Sequence, residues 1–226
     1  MLFRIVSIVS ILGLAGRLTY LRFRLDTVMA GAQTGSLSWH SYLRWLGKGI
    51  SSLVRPAGWA WLRATYAYCC AGYPPPVLRW VFIALSTSLI YLGVSGFFFA
   101  IFSPRALFGV PLVLHVVAGG VFAVSLAANT LFRAKEYSSL IEVFTSDGRP
   151  MAYLVGLFSR SLRQSVLYWV SVISGLALSV TALFSMLPYF SFRTQVGLVE
   201  AHRWSALVLA LAAMAFFDSM LPRKPA

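Results

Sequence analysis

Four long apolar runs, separated by polar joints, fill the second part of the chain. They cover approximately residues 77–102, 107–132, 166–187 and 196–221. At ~1.5 Å per residue a helix of such length crosses a hydrocarbon core of ~30 Å. Two of the joints, at 103–106 and 188–195, are short, and the joint at 133–164 is longer. We therefore predict an all-α integral membrane protein in which these runs form an up-down four-helix transmembrane bundle.

The first third of the chain has a different pattern. Twelve apolar or small residues lie between Arg4 and Arg17, which is shorter than a full span and typical of a signal-peptide core. We predict an uncleaved signal anchor, or a short helix whose arginines reach the membrane surface. Residues 22–73 interleave tryptophans with cations, as helices in the membrane interface do. We expect an N-terminal hydrophobic and interfacial helical region at 1–76, which Pro74–Pro76 ends, and the bundle at 77–226.

Composition and charge support a membrane protein over a soluble one. The 226 residues are 59% hydrophobic and only 11% charged, whereas soluble domains are about a quarter charged. The net charge of +13 comes from cations placed between the apolar runs, so topology explains it better than nucleic-acid binding. The short joints hold only Arg105 and Arg193. The positive-inside rule then places the 133–164 loop and the C-terminus in the cytoplasm of a multi-pass bacterial inner-membrane protein.

The sequence lacks the residue patterns that several kinds of cofactor attachment and catalysis require. The only cysteines, Cys69 and Cys70, are neighbours, which seldom pair, and no CxxCH sequence could attach haem covalently. His40 lies in the solvent-accessible amphipathic region at 22–73 and is interpreted as a surface residue. There is no acid–base pair, activated nucleophile or phosphate loop, so we expect any catalysis to belong to a larger complex.

Two histidines interrupt the apolar runs. His115 lies about eight residues into the second run and His202 about six residues into the fourth. In an up-down bundle these two runs are parallel, so the rings lie at similar depth and could ligate a haem iron from both faces. Gly119 and Gly120 would leave room for the macrocycle, and Arg203 could pair with a propionate or simply lie in the interface. The competing interpretation is that both histidines are hydrogen-bonded core residues of a structural anchor.

These segments together resemble a known family. RWVFIALSTSLIYLGVSGFFF in the first run, LHVVAGGVF in the second, RQSVLYWVSVISGLALSVTALF in the third and VEAHRWSALVLALAAMAFF in the fourth are similar to the four-helix cytochrome b subunits of periplasmic formate dehydrogenases, nickel–iron hydrogenases and thiosulfate-type reductases. The resemblance covers about two thirds of the chain. It implies a membrane-anchoring b-type cytochrome that exchanges electrons with quinone or a periplasmic redox partner. The implied partners are a periplasmic iron–sulfur or cytochrome subunit, quinone and lipid.

The chain departs from that family at one of its two haem sites. His115 and His202 match the pair near the periplasmic face, but Phe82 and Phe216 stand where the other pair would be. The resemblance therefore implies one haem b, and we expect the two phenylalanines to approach each other in a filled site. Asn129 could bind a quinone oxygen at that end, or make a helix-end or interhelical hydrogen bond. A haem-free structural anchor is the alternative function, and a transporter ranks third because few charges lie inside the runs.

Overall fold

The computed structural model describes residues 2–29, 38–53, 67, 76–102, 108–138 and 160–220. No strand occurs in these residues, so the all-α prediction is confirmed. Predictions that concern Trp59, Trp61, Cys69, Cys70, residues 139–159 and the tail at 221–226 lie outside the described residues. The helices, numbered in chain order, are α1 Leu2–Met29, α2 Trp39–Leu53, α3 Pro76–Phe102, α4 Val110–Arg133, α5 Arg160–Ser185 and α6 Phe192–Met220, and a short 3₁₀ helix, Ala134–Tyr137, follows α4.

Within the described ranges, five helices are long and apolar enough to cross a membrane. They are Leu2–Arg24, Pro76–Phe102, Val110–Tyr137, Leu162–Ser185 and Phe192–Ser219. The last four agree with the four predicted spans. The first is longer than the short segment expected from the arginine spacing, because α1 continues as one helix past Arg17. The protein is a helical, multi-pass membrane protein.

Three helix starts differ from the apolar runs that predicted them, and one of them is α5, which begins at Arg160 instead of residue 166. Gly109 precedes α4 with φ of 63°, a left-handed conformation that glycine adopts without strain, and Pro111 occupies the first turn. These residues delay the start of α4 to Val110. α6 begins earlier than expected, at Phe192, because the Ser191 hydroxyl accepts a hydrogen bond from the Thr194 N–H at 3.3 Å. His115 is consequently the sixth residue of α4 and His202 the eleventh residue of α6.

The described chain divides into two compact units, of which the first contains Met1–Ser7 and Pro75–Met220. In this unit the most extensive helix contacts join α5 to α6 and α3 to α4, and α4 also packs against α5. The four helices share one core, made of Phe122 and Leu126 from α4, Leu178 from α5 and Leu209 from α6, with Leu85, Leu89 and Leu92 of α3 against it. This core holds the four predicted spans together.

Side chains of α4 lie close to the α5 backbone at Gly175. A β-carbon at this position would lie 2.7 Å from Leu126 Cδ2 and 3.2 Å from Phe122 Cζ. The first distance is shorter than real carbon contacts and the second is tighter than most, so a larger residue would force Leu126 or Phe122 to move. Gly175 therefore determines how closely α4 and α5 can pack.

The described residues of the second unit include 8–29 and 38–53, and within it α2 packs against α1. Tyr42 of α2 is buried, and its hydroxyl lies 2.7 Å from Thr19 Oγ1. Its ring packs against Phe23 of α1 at a centroid distance of 5.6 Å. Arg44 and Lys48 are exposed, so α2 is amphipathic as predicted. α1 covers part of the apolar face of α2. An isolated interfacial helix would present that whole face to lipid.

Candidate functional site: two intramembrane histidines

α3 holds the ring of His115 through a serine. His115 Nδ1 lies 2.9 Å from Ser95 Oγ. Ser95 donates its only hydroxyl proton to its own helix, at the Tyr91 carbonyl 2.7 Å away. While that bond is made, the serine oxygen accepts from the histidine, and the ring proton is then on Nδ1. Nε2 of the neutral ring then carries a free lone pair.

α5 holds the ring of His202 in the same protonation state. His202 Nδ1 lies 3.0 Å from the Leu178 carbonyl oxygen, which can only accept a hydrogen bond. Thr181 Oγ1 is a second, longer acceptor at 3.4 Å, since its own proton goes to the Ala177 carbonyl at 2.7 Å. His202 is thus also an Nδ1–H tautomer with a free Nε2 lone pair.

The two rings share one pattern of hydrogen bonds. Both are half-buried. Within the described part of the chain, every hydrogen bond of either ring uses Nδ1. Metal-binding histidines commonly donate Nδ1–H to a protein acceptor and coordinate through Nε2. Nε2 of both rings has no hydrogen bond within these residues.

The backbone beside the rings combines close contact with open space. A β-carbon at Gly96 of α3 would lie 3.4 Å from His115 Cε1, so α3 packs tightly along one edge of that ring. One turn beyond His115, a β-carbon at Gly119 or Gly120 would meet nothing within 4 Å. Gly120 is exposed, so its open side is the outer surface of the helix. The space expected for a flat group beside His115 stays a prediction.

Arg203 lies next to His202 in the chain, but its side chain is exposed. Its Nη1 donates to Glu200 Oε2 at 3.3 Å, and Glu200 Oε1 accepts from Trp204 Nε1 at 3.1 Å. Arg203 thus has an anionic partner on its own helix. Its expected role toward a propionate stays a prediction.

Asn129 is buried near the far end of α4, with 5% of its surface exposed. Its Oδ1 has no hydrogen-bond partner among the described residues, although an unpaired buried acceptor is costly. One turn further, the buried Arg133 donates from Nε to Glu136 Oε2 at 2.8 Å. The helix-end or interhelical hydrogen bond expected for Asn129 is thus not made by Oδ1 within these residues.

Aromatic side chains pack around both Phe82 and Phe216. Phe82 is buried and packs against Phe217, with ring centroids 6.5 Å apart. Phe216 packs instead against Tyr137 and Tyr168, at 5.8 Å and 6.3 Å. Those two tyrosines stack on each other at 4.1 Å. A direct contact between Phe82 and Phe216 stays a prediction.

Four residues of the site were not assigned a role from the sequence. Ser95 and Gly96 were noticed only as part of the family resemblance, and Leu178 and Thr181 not at all. A serine that bonds its own helix looks like any other in the sequence, and a carbonyl acceptor has no side-chain signature.

The described residues contain no cluster of three or more histidine, cysteine or acidic side chains that could hold a metal ion. Comparison of the whole chain with protein-family models, with curated proteins and with solved structures finds no match.

Proposed function

We propose that this protein is the membrane-anchoring b-type cytochrome subunit of a larger redox complex, with one haem b between His115 and His202. The observation that supports this most is the shared tautomer of the two rings. Each ring holds its Nδ1 proton on a protein acceptor and leaves Nε2 free, and both rings are half-buried.

Two imidazoles with free Nε2 atoms are ligands that haem iron accepts, so His115 and His202 would hold the group. The haem would supply one-electron transfer, with Gly119 as a small residue one turn from His115. The chain's own residues orient the two imidazoles through Ser95 and the Leu178 carbonyl.

The remaining parts of the proposal concern neighbours of the site. Arg203 would exchange Glu200 for a haem propionate. The free Oδ1 of Asn129 would accept a hydrogen bond from a quinol hydroxyl. We place the protein in the bacterial inner membrane, with residues 133–164 and the C-terminus cytoplasmic and an iron–sulfur or cytochrome partner subunit on the periplasmic side.

The visible spectrum of the purified full-length chain tests the proposal. We expect sharp reduced α and Soret bands and a pyridine haemochrome yield of one haem per chain. His115→Ala and His202→Ala should each abolish the bands, whereas His40→Ala, outside the pair, should leave them unchanged. A normal low-spin spectrum in either of the first two variants would refute the ligand assignment.

A haem-free structural anchor is the second candidate. One observation favours it: both imidazoles already have protein hydrogen-bond partners, as stable core histidines would. The same assay separates the two functions, because the anchor contains no haem when expressed with ample haem supply. In that case His115→Ala would lower thermal stability but change no visible band.

A further inference from the structure

We infer that Ser95 is a positioning residue for the proposed haem ligand His115, selecting its tautomer and the plane of its ring. The inference rests on the proposed function and deepens it. Ser95 lies on α3, the helix that carries neither histidine, so it acts on the site only through His115. No charge is involved, because both groups are neutral in this arrangement.

The serine oxygen can accept a hydrogen bond from the histidine because its own proton is donated to the α3 backbone. Ser95 Oγ lies 2.7 Å from the Tyr91 carbonyl and 3.4 Å from the Leu92 carbonyl, which fixes the hydroxyl rotor. Nδ1 of His115 lies 2.9 Å from the same oxygen, which still has lone pairs to accept a hydrogen bond. A water molecule in the same place would accept the proton but would impose no direction.

Gly96 supports the same orientation from the next position in the chain. A β-carbon there would stand 3.4 Å from Cε1, the ring atom between the two nitrogens. The α3 backbone thus lies along the edge of the imidazole and limits its rotation about the Cβ–Cγ bond. Ser95 supplies the acceptor, and the backbone at Gly96 lies beside the ring at a distance where a β-carbon would make van der Waals contact.

The two histidines differ in how their orientation can be changed. The main acceptor of His202 is the Leu178 carbonyl, a backbone group that no substitution removes. The acceptor of His115 is a side chain. Ser95 is therefore the position at which a single substitution can release one ring while the other stays oriented. Outer-shell partners of metal-bound histidines typically affect affinity by about 10–100-fold when removed.

Ser86 gives a matched control on the same helix. Its hydroxyl bonds its own helix in the same pattern, at 2.7 Å to the Phe82 carbonyl and 3.2 Å to the Ile83 carbonyl, and it has no bond to either histidine. Ser86→Ala therefore reports the general effect of removing a helix-bonded hydroxyl from α3. Ser95→Thr should retain the acceptor, since threonine makes the same bond to its own helix.

The experiment uses the full-length protein with ¹⁵N-labelled histidine in lipid nanodiscs. In the haem-free form, NMR should show His115 as the Nδ1–H tautomer in the parent chain and in the two control variants, Ser95→Thr and Ser86→Ala. In Ser95→Ala, a population of the Nε2–H tautomer should appear. In the haem-loaded form, Ser95→Ala should weaken haem affinity about tenfold or more and shift the largest electron paramagnetic resonance g value, which reports the angle between the two imidazole planes.

Each outcome decides the inference. An unchanged tautomer and g value in Ser95→Ala would overturn it, as would equal losses in Ser95→Ala and Ser86→Ala. If the parent chain binds no haem but the tautomer of His115 still depends on Ser95, the positioning role stands and the proposed haem function fails. If haem binds but Ser95→Ala behaves as the parent chain does, the proposed function stands and the positioning role fails.

Discussion

Substitution of Gly175 by alanine tests how the contact between α4 and α5 supports the bundle. The added methyl would stand 2.7 Å from Leu126 Cδ2 and 3.2 Å from Phe122 Cζ. Phe122 is only 1% exposed, so its ring has little room to move, and Leu126 or the α5 backbone must shift. Overpacking of this kind typically costs about 1–3 kcal/mol, partly offset by up to about 1 kcal/mol of helix propensity. We expect a net destabilisation of about 1–2 kcal/mol.

The substitution should also affect the histidine site. Leu178, whose carbonyl holds His202, lies one turn from Gly175 on α5. Phe122 lies two turns from His115 on α4. Separating the two helices at this contact should therefore increase the distance between the imidazoles, and in the proposed cytochrome Gly175→Ala should lower haem occupancy along with stability.

Reversible unfolding in mixed detergent micelles, followed by circular dichroism, measures the effect. Gly93→Ala is the matched control, because a β-carbon at Gly93 in α3 would meet nothing within 4 Å. We expect this control to be neutral or slightly stabilising. Combining Gly175→Ala with Leu126→Ala should relieve the closest contact and give a coupling energy of about 0.5–3 kcal/mol. Equal stability of Gly175→Ala and Gly93→Ala, or strict additivity in the double variant, would refute the reasoning.

Two further predictions concern other parts of the chain. Tyr42→Phe removes the 2.7 Å hydrogen bond to Thr19 but keeps the aromatic packing. It should lower the free energy of unfolding by about 1 kcal/mol in the same unfolding assay. A neutral result would show that this bond contributes nothing. The double variant Phe82→His and Phe216→His should not recruit a second haem. Phe217 and the stacked rings of Tyr137 and Tyr168 occupy the surrounding space. A pyridine haemochrome yield above that of the parent chain would contradict this.

The amino-acid sequence alone was enough to predict the membrane helices of the bundle. Four apolar runs longer than twenty residues have no stable form in a bilayer except helices, since every backbone group must bond within the segment. Their bounds agree with the structure to within a few residues. The N-terminal helix was harder to predict because Arg17 interrupts its apolar pattern, while the helix itself continues through that residue. The sequence also identified His115 and His202, because ionisable residues are rare inside apolar spans.

Only the tertiary structure decided how those histidines are held. Ser95 and the Leu178 carbonyl are 20 and 24 residues from their histidines along the chain, and they become neighbours because α3 packs on α4 and α5 on α6. Gly175 likewise has no distinctive place in the sequence, and its importance comes from the Leu126 side chain on another helix. Apolar periodicity determines that a segment is a helix in the membrane. Which residues meet across helices depends on side-chain shape and helix rotation, which no single segment encodes.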